Sequence, residues 1–400
     1  MSLGRAFTVL WGANAASNLA DGLAFVSMPL LAASLTDDPR LVAGVATVYA
    51  LVRLLVALPV GVLVDRADRR TLLLTANLLR GASVLALALC VHVGVGGLVL
   101  LYIAIAVIGT LETAADNAAV SIVPSIIRDH DLDRANGRIS AAQLIADEFV
   151  GPPLGGVLFA LAASAPIFAM GGLWAGAGLL ALALPMRTTR KSENGNPTSD
   201  LTTVSREAAA GIRWLARHRT VGSLALISAV TSVGYMMPFS ILVLFAQQRL
   251  GLDDAGYGVI LAVSALGGLV GSVATPRIRS RLGYRWTIVA SLVTGSASLS
   301  ALSATTSSVL AAVLLAVYIL HAVVWGICAT SLRQRLVPDE LRGRVNAATR
   351  VMSLAGLALG SGLGGVLALT HIALPVLVGG FVFLVCSAAA VVLLRHVDRE

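Results

Sequence analysis

VPSIIRDHDLDRANGRISAAQLIADEFVGPPLGGVL, residues 123–158, returns in shorter form as VPDELRGRVNAATRVMSLAGLALGSGLGGVL, residues 337–367. Both copies open on Val-Pro, pass through a loop of mixed charge and carry an R-x-N (Arg134-Ala135-Asn136 and Arg344-Val345-Asn346). Both close on Leu-Gly-Gly-Val-Leu. A repeat this far apart in a 400-residue chain says that the two halves are built alike.

The halves are apolar. Hydrophobic residues make up 57% of the chain and charged residues 12%, with a mean hydropathy of +0.87. Soluble domains carry about a quarter charged residues, so disorder, a disulfide scaffold and a soluble multidomain enzyme are excluded. Residues 81–111, 149–186, 286–332 and 351–394 contain no Asp, Glu, Lys or Arg. The last three are each long enough for two spans of about 20 residues. Together with the flanking segments they predict twelve membrane helices, near 7–35, 41–62, 71–92, 97–120, 138–162, 165–185, 220–248, 256–276, 285–303, 308–331, 345–369 and 374–394. Arg5 followed by a long apolar run reads as the first span, not a cleaved leader. Cys90, Cys328 and Cys386 lie inside apolar runs without CxxC spacing, so they read as small buried hydrophobes and no metal site is expected.

Charge sets the orientation. Of 29 basic residues, 24 fall on the termini, the even-to-odd loops and the linker, two (Arg40 and Arg249) on the opposite loops, and Arg53, Arg80 and Arg350 within spans. This bias places both termini in the cytoplasm of a multi-pass cell-membrane protein. The net charge of +8 is thus a topology signal, with no nucleic-acid partner implied. The polar stretch 187–203 divides the chain, giving an N-terminal six-helix bundle (1–186), a cytoplasmic linker (187–219) and a C-terminal six-helix bundle (220–400). In the linker, Val204, Ala208, Ile212 and Leu215 recur at helical spacing, which predicts an amphipathic helix on the membrane surface or an ordinary linker helix. Two parallel pseudo-repeats with both termini on one side place a cavity between the halves and suggest transport by alternating access.

Two motifs sharpen this. Gly61-Val-Leu-Val-Asp65-Arg66-Ala-Asp68-Arg69-Arg70 follows the second span. It resembles the loop 2–3 signature of the major facilitator superfamily, with Asp68 where a glycine is usual. The resemblance implies a cytoplasmic gate latch made of Gly61, Asp65, Arg66, Arg69 and Arg70, whose arginines can reach carboxylates or lipid phosphates. In the fifth span, Gly151-Pro152-Pro153-Leu-Gly155-Gly156 predicts a kink with close helix packing. It resembles the antiporter signature of proton-driven drug exporters, with Asp147 at the position of the first glycine. The similarity covers nearly the whole chain and points to the branch of macrolide efflux and siderophore export proteins. It implies the all-α, twelve-helix major facilitator fold, a proton gradient in place of any cofactor, and a monomer. The arginine-glutamine signature of many drug/proton antiporters is missing from the fourth span, where Glu112 and Asp116 stand.

Ionisable groups at membrane depth cost at least ~2.5 kcal/mol each near the bilayer centre and mark function by default. Here they are Asp21, Arg53, Arg80, Glu112, Asp116, Asp147, Glu148 and Arg350. Glu112 and Asp116 share a helical face; their repulsion in a low dielectric is relieved when one takes a proton, as proton coupling requires. The structural alternative is ion pairing: Arg80 with Asp21 or Glu112, Arg53 with Asp116, Arg350 with Asp147. Five acids against three arginines leave two carboxylates over, so Asp147, Glu112, Asp21 and Asp116 are the candidate proton or cargo groups, in that order. His92 and His321 are expected to serve packing or a backbone hydrogen bond, and Trp11, Trp174 and Trp286 to anchor at interfaces. Tyr235, Tyr318 and Trp325 face either a cavity or lipid.

The function expected is secondary active, proton-coupled efflux of a hydrophobic or cationic small molecule. A dedicated metabolite or siderophore exporter and an uptake symporter are the alternatives within transport. A non-transporting sensor or scaffold is the alternative of another class, and it would need a soluble domain; the longest polar segment is the linker. No nucleophile-base pairing or P-loop marks an enzyme or an ATP-driven pump.

Overall fold

The computed structural model describes residues 3–95, 97–128, 131–184 and 201–395, without the side chains of residues 58, 65, 66, 133, 201–205, 207 and 208. Among these residues every regular element is a helix. The first four are α1 (Arg5–Leu35), α2 (Pro39–Arg66), α3 (Arg69–His92) and α4 (Leu98–Ile126). The fifth crossing is composite: α5 (Leu132–Gln143), a π segment (Leu144–Val150) and α6 (Gly151–Leu161). Then come α7 (Ala165–Ala181), the linker helix α8 (Leu201–Arg217), α9 (Arg219–Phe239) and the short α10 (Leu242–Gln248). The chain ends with α11 (Asp254–Ala304), α12 (Ser308–Leu336), α13 (Asp339–Ala368) and α14 (Leu374–Leu393).

Ten of the described helical segments are long and apolar enough to cross a membrane. At 51 residues α11 far exceeds one crossing; Gly283, at φ 73°, breaks it into two in a left-handed conformation that glycine alone adopts freely. Adding α7, a 17-residue apolar helix, agrees with twelve crossings. Outside the membrane, α2 opens at Asp38, whose carboxylate accepts from the Arg40 amide at 2.9 Å and the Arg40 guanidinium at 2.7 Å. Those hydrogen bonds hold the Asp38 carboxyl below its ordinary value.

The chain divides into two compact units. One holds Met1–Leu35, Leu55–Val204 and Asp254–Val259; the other holds Thr36–Leu54, Ser205–Asp253 and Ile260–Glu400. In the first, α3 packs on α4 and α7, and α1 packs on α7, α6 and the π segment. One core of this unit gathers Phe7, Leu73, Ala118, Val123, Ala135 and Ala181. In the second, α9 packs on α13 and α14. Gly356, Gly360 and Gly364 form a stripe at i, i+4, i+8 on α13, and each lies against the carbonyl of Ala229, Val233 or Met237 on α9. Without a hydrophobic driving force in lipid, such close approach is what holds helices together.

The sequence repeat is visible in these cores. Val123 and Ala135 are buried in the first unit, and their counterparts Val337 and Val345 are buried in a cluster of the second. That second cluster also takes Trp214 and Leu215 of α8, and Gly211 lies against the Arg344 carbonyl. The linker helix is therefore docked on protein along this face, with Ile212 left exposed. Linker residues 187–200 lie outside the described residues.

Candidate functional site

The apolar positions of α3 that pack inward are Leu73, Ala76, Val84, Leu87 and Ala88, and Asn77, Arg80 and Gly81 lie on the same stripe. Helical spacing thus carries the Arg80 guanidinium inside, where it is fully buried. Its Nη2 is ion-paired to Asp21 of α1 and lies 3.7 Å from Glu112 Oε2 of α4. Its Nη1 donates to Ser17 Oγ at 3.3 Å, with Asn77 Oδ1 at 3.5 Å. The guanidinium plane lies 4.2 Å from the ring centroid of Trp174. Arginine suits this place because its charge is delocalised, weakly hydrated and able to stack. Of the pairings read from the sequence, Arg80 makes both of its alternatives at once.

Trp174 is the correction. It is fully buried under Arg80 and so is no interfacial anchor. A tryptophan in a charge-free span gives no sign in sequence of which face it takes. Ser17 and Asn77 complete the shell around the guanidinium; Asn77 was legible as the i−3 neighbour of Arg80.

Asp147 and Glu148 sit on the π segment. Pro152 and Pro153 lack the N–H groups that would bond the carbonyls of residues 148 and 149, so the ladder widens one turn earlier and the Gly151 amide bonds Ala146 instead. The kink predicted from the prolines is thus a π turn. Gly22 of α1 and Gly151 interlock against it: a Cβ on Gly22 would stand 2.5 Å from the Asp147 carbonyl oxygen. Asp147 is half-buried and has no hydrogen-bond or ion-pair partner among the described residues. Asp21 interacts electrostatically with Arg80, Glu112, Asp116 and Asp147, so these four acids gather around one arginine within one unit. Asp116, one turn beyond Glu112, is exposed, as is Glu148.

The other motif residues divide. Gly151, Pro152, Gly155 and Gly156 are all buried; Gly155 lies against Leu23, and Gly156 against Asp254 and Gly258. In the loop motif, Asp65 and Arg66 have side chains outside the described residues, and Gly61 has open space around it. Asp68 caps α3, accepting from the Thr71 amide at 2.8 Å, which explains a carboxylate where the family has glycine. Arg69 donates to the Ser121 carbonyl at 2.9 Å, and Arg70 to the carbonyls of Ala181 (3.0 Å) and Leu182. Among the described residues these two arginines bind carbonyls in the last turns of α4 and at the end of α7. Arg53 donates to the Tyr49 hydroxyl at 2.8 Å, and Arg350 is exposed with no ion pair among the described residues.

In the second unit Tyr318 is fully buried and Trp325 nearly so, which answers the choice between cavity and lipid. A cavity of about 280 Å³ opens between α9, α12, α13 and α14, with Tyr235, His321 and Trp325 in its wall. His321 bonds the Tyr318 carbonyl through Nδ1 and packs edge-on against Phe383, the packing role expected of it.

Paired bundles of membrane helices, an acid cluster on one buried arginine and a separate aromatic cavity define a secondary transporter of the major facilitator type, not an enzyme. The family described as transmembrane secretion effector matches residues 3–400, and the chain belongs to it. It is 26% identical over 300 residues to the multidrug efflux pump Tap of Mycobacterium tuberculosis, covering 73% of this chain and 70% of that protein. It is 22% identical over 343 residues to the enterobactin exporter EntS of Citrobacter koseri, covering 85% and 80% of the two chains. Among solved structures, the nucleoside transporter NupG superposes with a TM-score of 0.79 at 13% identity, covering 98% of this chain and all of that one. A bacterial homologue of ferroportin, inward-facing, gives 0.71 at 20% identity over 97% of this chain and all of that one. At these identities the two structures speak to the fold alone.

Proposed function

We propose that this chain exports a small organic molecule across the cell membrane in exchange for protons, with both termini in the cytoplasm, a monomer as the working unit, and the bundles 1–186 and 220–400 alternating access. The observation that carries it is the acid cluster on Arg80. One guanidinium offsets one carboxylate, while Asp21 and Glu112 both reach it and Asp116 and Asp147 stand close enough to interact. Ionisation of Asp147, which has no ion-pair partner among the described residues, would add a second negative charge beside Asp21 in a low-dielectric site, and a proton taken up there removes it. Asp147 is the group best placed to exchange that proton: it is half-buried, lacks a fixed partner, and rides on a π turn interlocked with Gly22 next to Asp21. Its π turn supplies a second backbone arrangement, since such turns interconvert with regular helix and gather at functional sites.

Export is favoured over uptake by the antiporter-like sequence of α6 and by the two exporting relatives. With these acids assigned to protons, the cargo need not be cationic. Everted vesicles with an imposed pH gradient, screened against lipophilic cations, antibiotics and aromatic acids, test the reading. Gradient-driven accumulation of at least one compound, abolished in Asp147→Asn or Glu112→Gln, is expected. Accumulation indifferent to the gradient, or unchanged in both variants, contradicts it.

A further inference from the structure

On α12, His321, Trp325, Ala329 and Arg333 succeed one another at i, i+4, i+8 and i+12, so they form one stripe about 18 Å long. That stripe lines the cavity of the second unit. At one end the wall is aromatic. Tyr235 stacks on Phe239 at 4.6 Å, and Tyr318 stands behind them, 6.1 Å from Tyr235 and 5.8 Å from Phe383. The Tyr318 hydroxyl is fully buried with no hydrogen-bond partner among the described residues, a cost that folds carry at functional places. Gly295 leaves room for the His321 ring, whose Nε2 lies 2.5 Å from where a Cβ would stand.

Along the middle, three of the hydroxyls that line the cavity have their protons already used. Thr231 and Ser232 both donate to the Ser228 carbonyl, at 3.0 and 2.8 Å, and Thr349 donates to the Val345 carbonyl at 2.8 Å. What they have left to offer is lone pairs, which accept from hydroxyl or N–H groups. At the other end stands Arg333. Its Nε donates to Asn346 Oδ1 at 2.9 Å, while no ion pair engages it and its terminal Nη1 and Nη2 have no partner among the described residues. Among the described residues no Asp or Glu lines the cavity, and Arg333 is the formal charge in its wall.

Each feature selects a part of the ligand. The aromatic wall takes a planar ring; the spent hydroxyls take hydrogen-bond donors on that ring; the free fork of Arg333 takes a carboxylate or similar anion, bidentately. A cation would instead meet an uncompensated like charge. We propose that this cavity is the cargo-binding subsite, and that the cargo class it accepts is a hydroxylated aromatic acid. The inference rests on the reading of the chain as a transporter and narrows the hydrophobic or cationic cargo expected from the sequence to an anionic aromatic one.

The test is equilibrium binding, with no gradient, to full-length protein in lipid nanodiscs. The probes are 6-hydroxy-2-naphthoate, 2-naphthoate and the cation 2-naphthylmethylammonium. The hydroxy acid should bind at least tenfold tighter than the cation and more tightly than the plain acid. Arg333→Gln should weaken both acids at least tenfold and strengthen binding of the cation, and Thr231→Val should remove the advantage of the hydroxyl. Should Arg333→Gln not fold, Arg333→Lys, which keeps the charge and loses the fork, should weaken the acids by a smaller factor. Equal binding of acid and cation, or acid affinity within twofold of wild type in the Arg333 variants, overturns the proposal. Binding that behaves as expected while pH-driven transport fails would count against proton coupling alone; intact transport with no acid preference would count against this subsite alone.

Discussion

Replacing Arg80 by glutamine removes the charge and keeps a hydrogen-bonding side chain of similar reach. The guanidinium is fully buried, ion-paired to Asp21 and 3.7 Å from Glu112. At that separation, with an effective dielectric of ~20, each pairing amounts to about 4 kcal/mol of gross attraction. Stacking on Trp174, 4.2 Å away, adds up to about 2 kcal/mol in a desolvated place. These terms offset the cost of burying the charges, so their sum is not the net effect. The measurable quantity is the penalty of leaving buried carboxylates uncompensated, about 3–5 kcal/mol. For a chain of this size that lowers the melting temperature of detergent-solubilised protein by on the order of 5 °C. Adding Glu112→Gln should recover about 2 kcal/mol or more of the loss, because the second change removes a carboxylate that the first stranded. Thermal unfolding of the wild type, both single variants and the double variant closes the cycle. If Arg80→Gln melts within about 1 °C of wild type, or the double variant is no more stable than the single, the acid cluster is not organised by Arg80 and the reasoning fails.

Three further outcomes follow from the packing. Gly22→Ala puts a methyl group 2.5 Å from the Asp147 carbonyl oxygen and 2.9 Å from its Cα, so it should cost about 1–3 kcal/mol in thermal unfolding and lower pH-driven transport by more than its effect on folded protein. Asp68→Ala should cost about 1 kcal/mol through loss of the α3 cap, whereas Asp68→Gly, the usual family residue, should lie within a few tenths of wild type; thermal melts of the two order them. Gly211→Val should lift α8 off the Arg344 carbonyl, raising amide hydrogen exchange over residues 209–217 while exchange in α3 stays unchanged.

Much of this was legible in the sequence because lipid enforces it. Uncharged gaps, the arginine bias and the Val-Pro to Leu-Gly-Gly-Val-Leu repeat give the spans and the two-fold plan, since backbone in a bilayer must satisfy itself within helices. The partnership of Arg80 with Asp21 and Glu112 was also readable, because a charge in an apolar stripe has to be paired. Other features depend on geometry that composition does not encode. Pro152 and Pro153 announce a broken ladder, but nothing in their spacing separates a kink from the π turn that carries Asp147. Helices hydrophobic all round give no inward face, so Trp174 read as an anchor and Tyr318 and Trp325 stayed ambiguous. The carbonyls of Ser121, Ala181 and Leu182 that Arg69 and Arg70 bind could not be read from the sequence, because they are far away in the chain.

Proton exchange through the Arg80 cluster is tested most directly by proton flux itself. Proteoliposomes loaded with a pH-sensitive dye, holding wild type or Asp147→Asn, would be given an outward gradient of a transported compound at equal starting pH. The account predicts a cargo-driven pH change inside the wild-type vesicles, opposite in direction to cargo movement and absent from the variant. Cargo movement without any proton flux in the wild type, or an undiminished flux in Asp147→Asn, would contradict it.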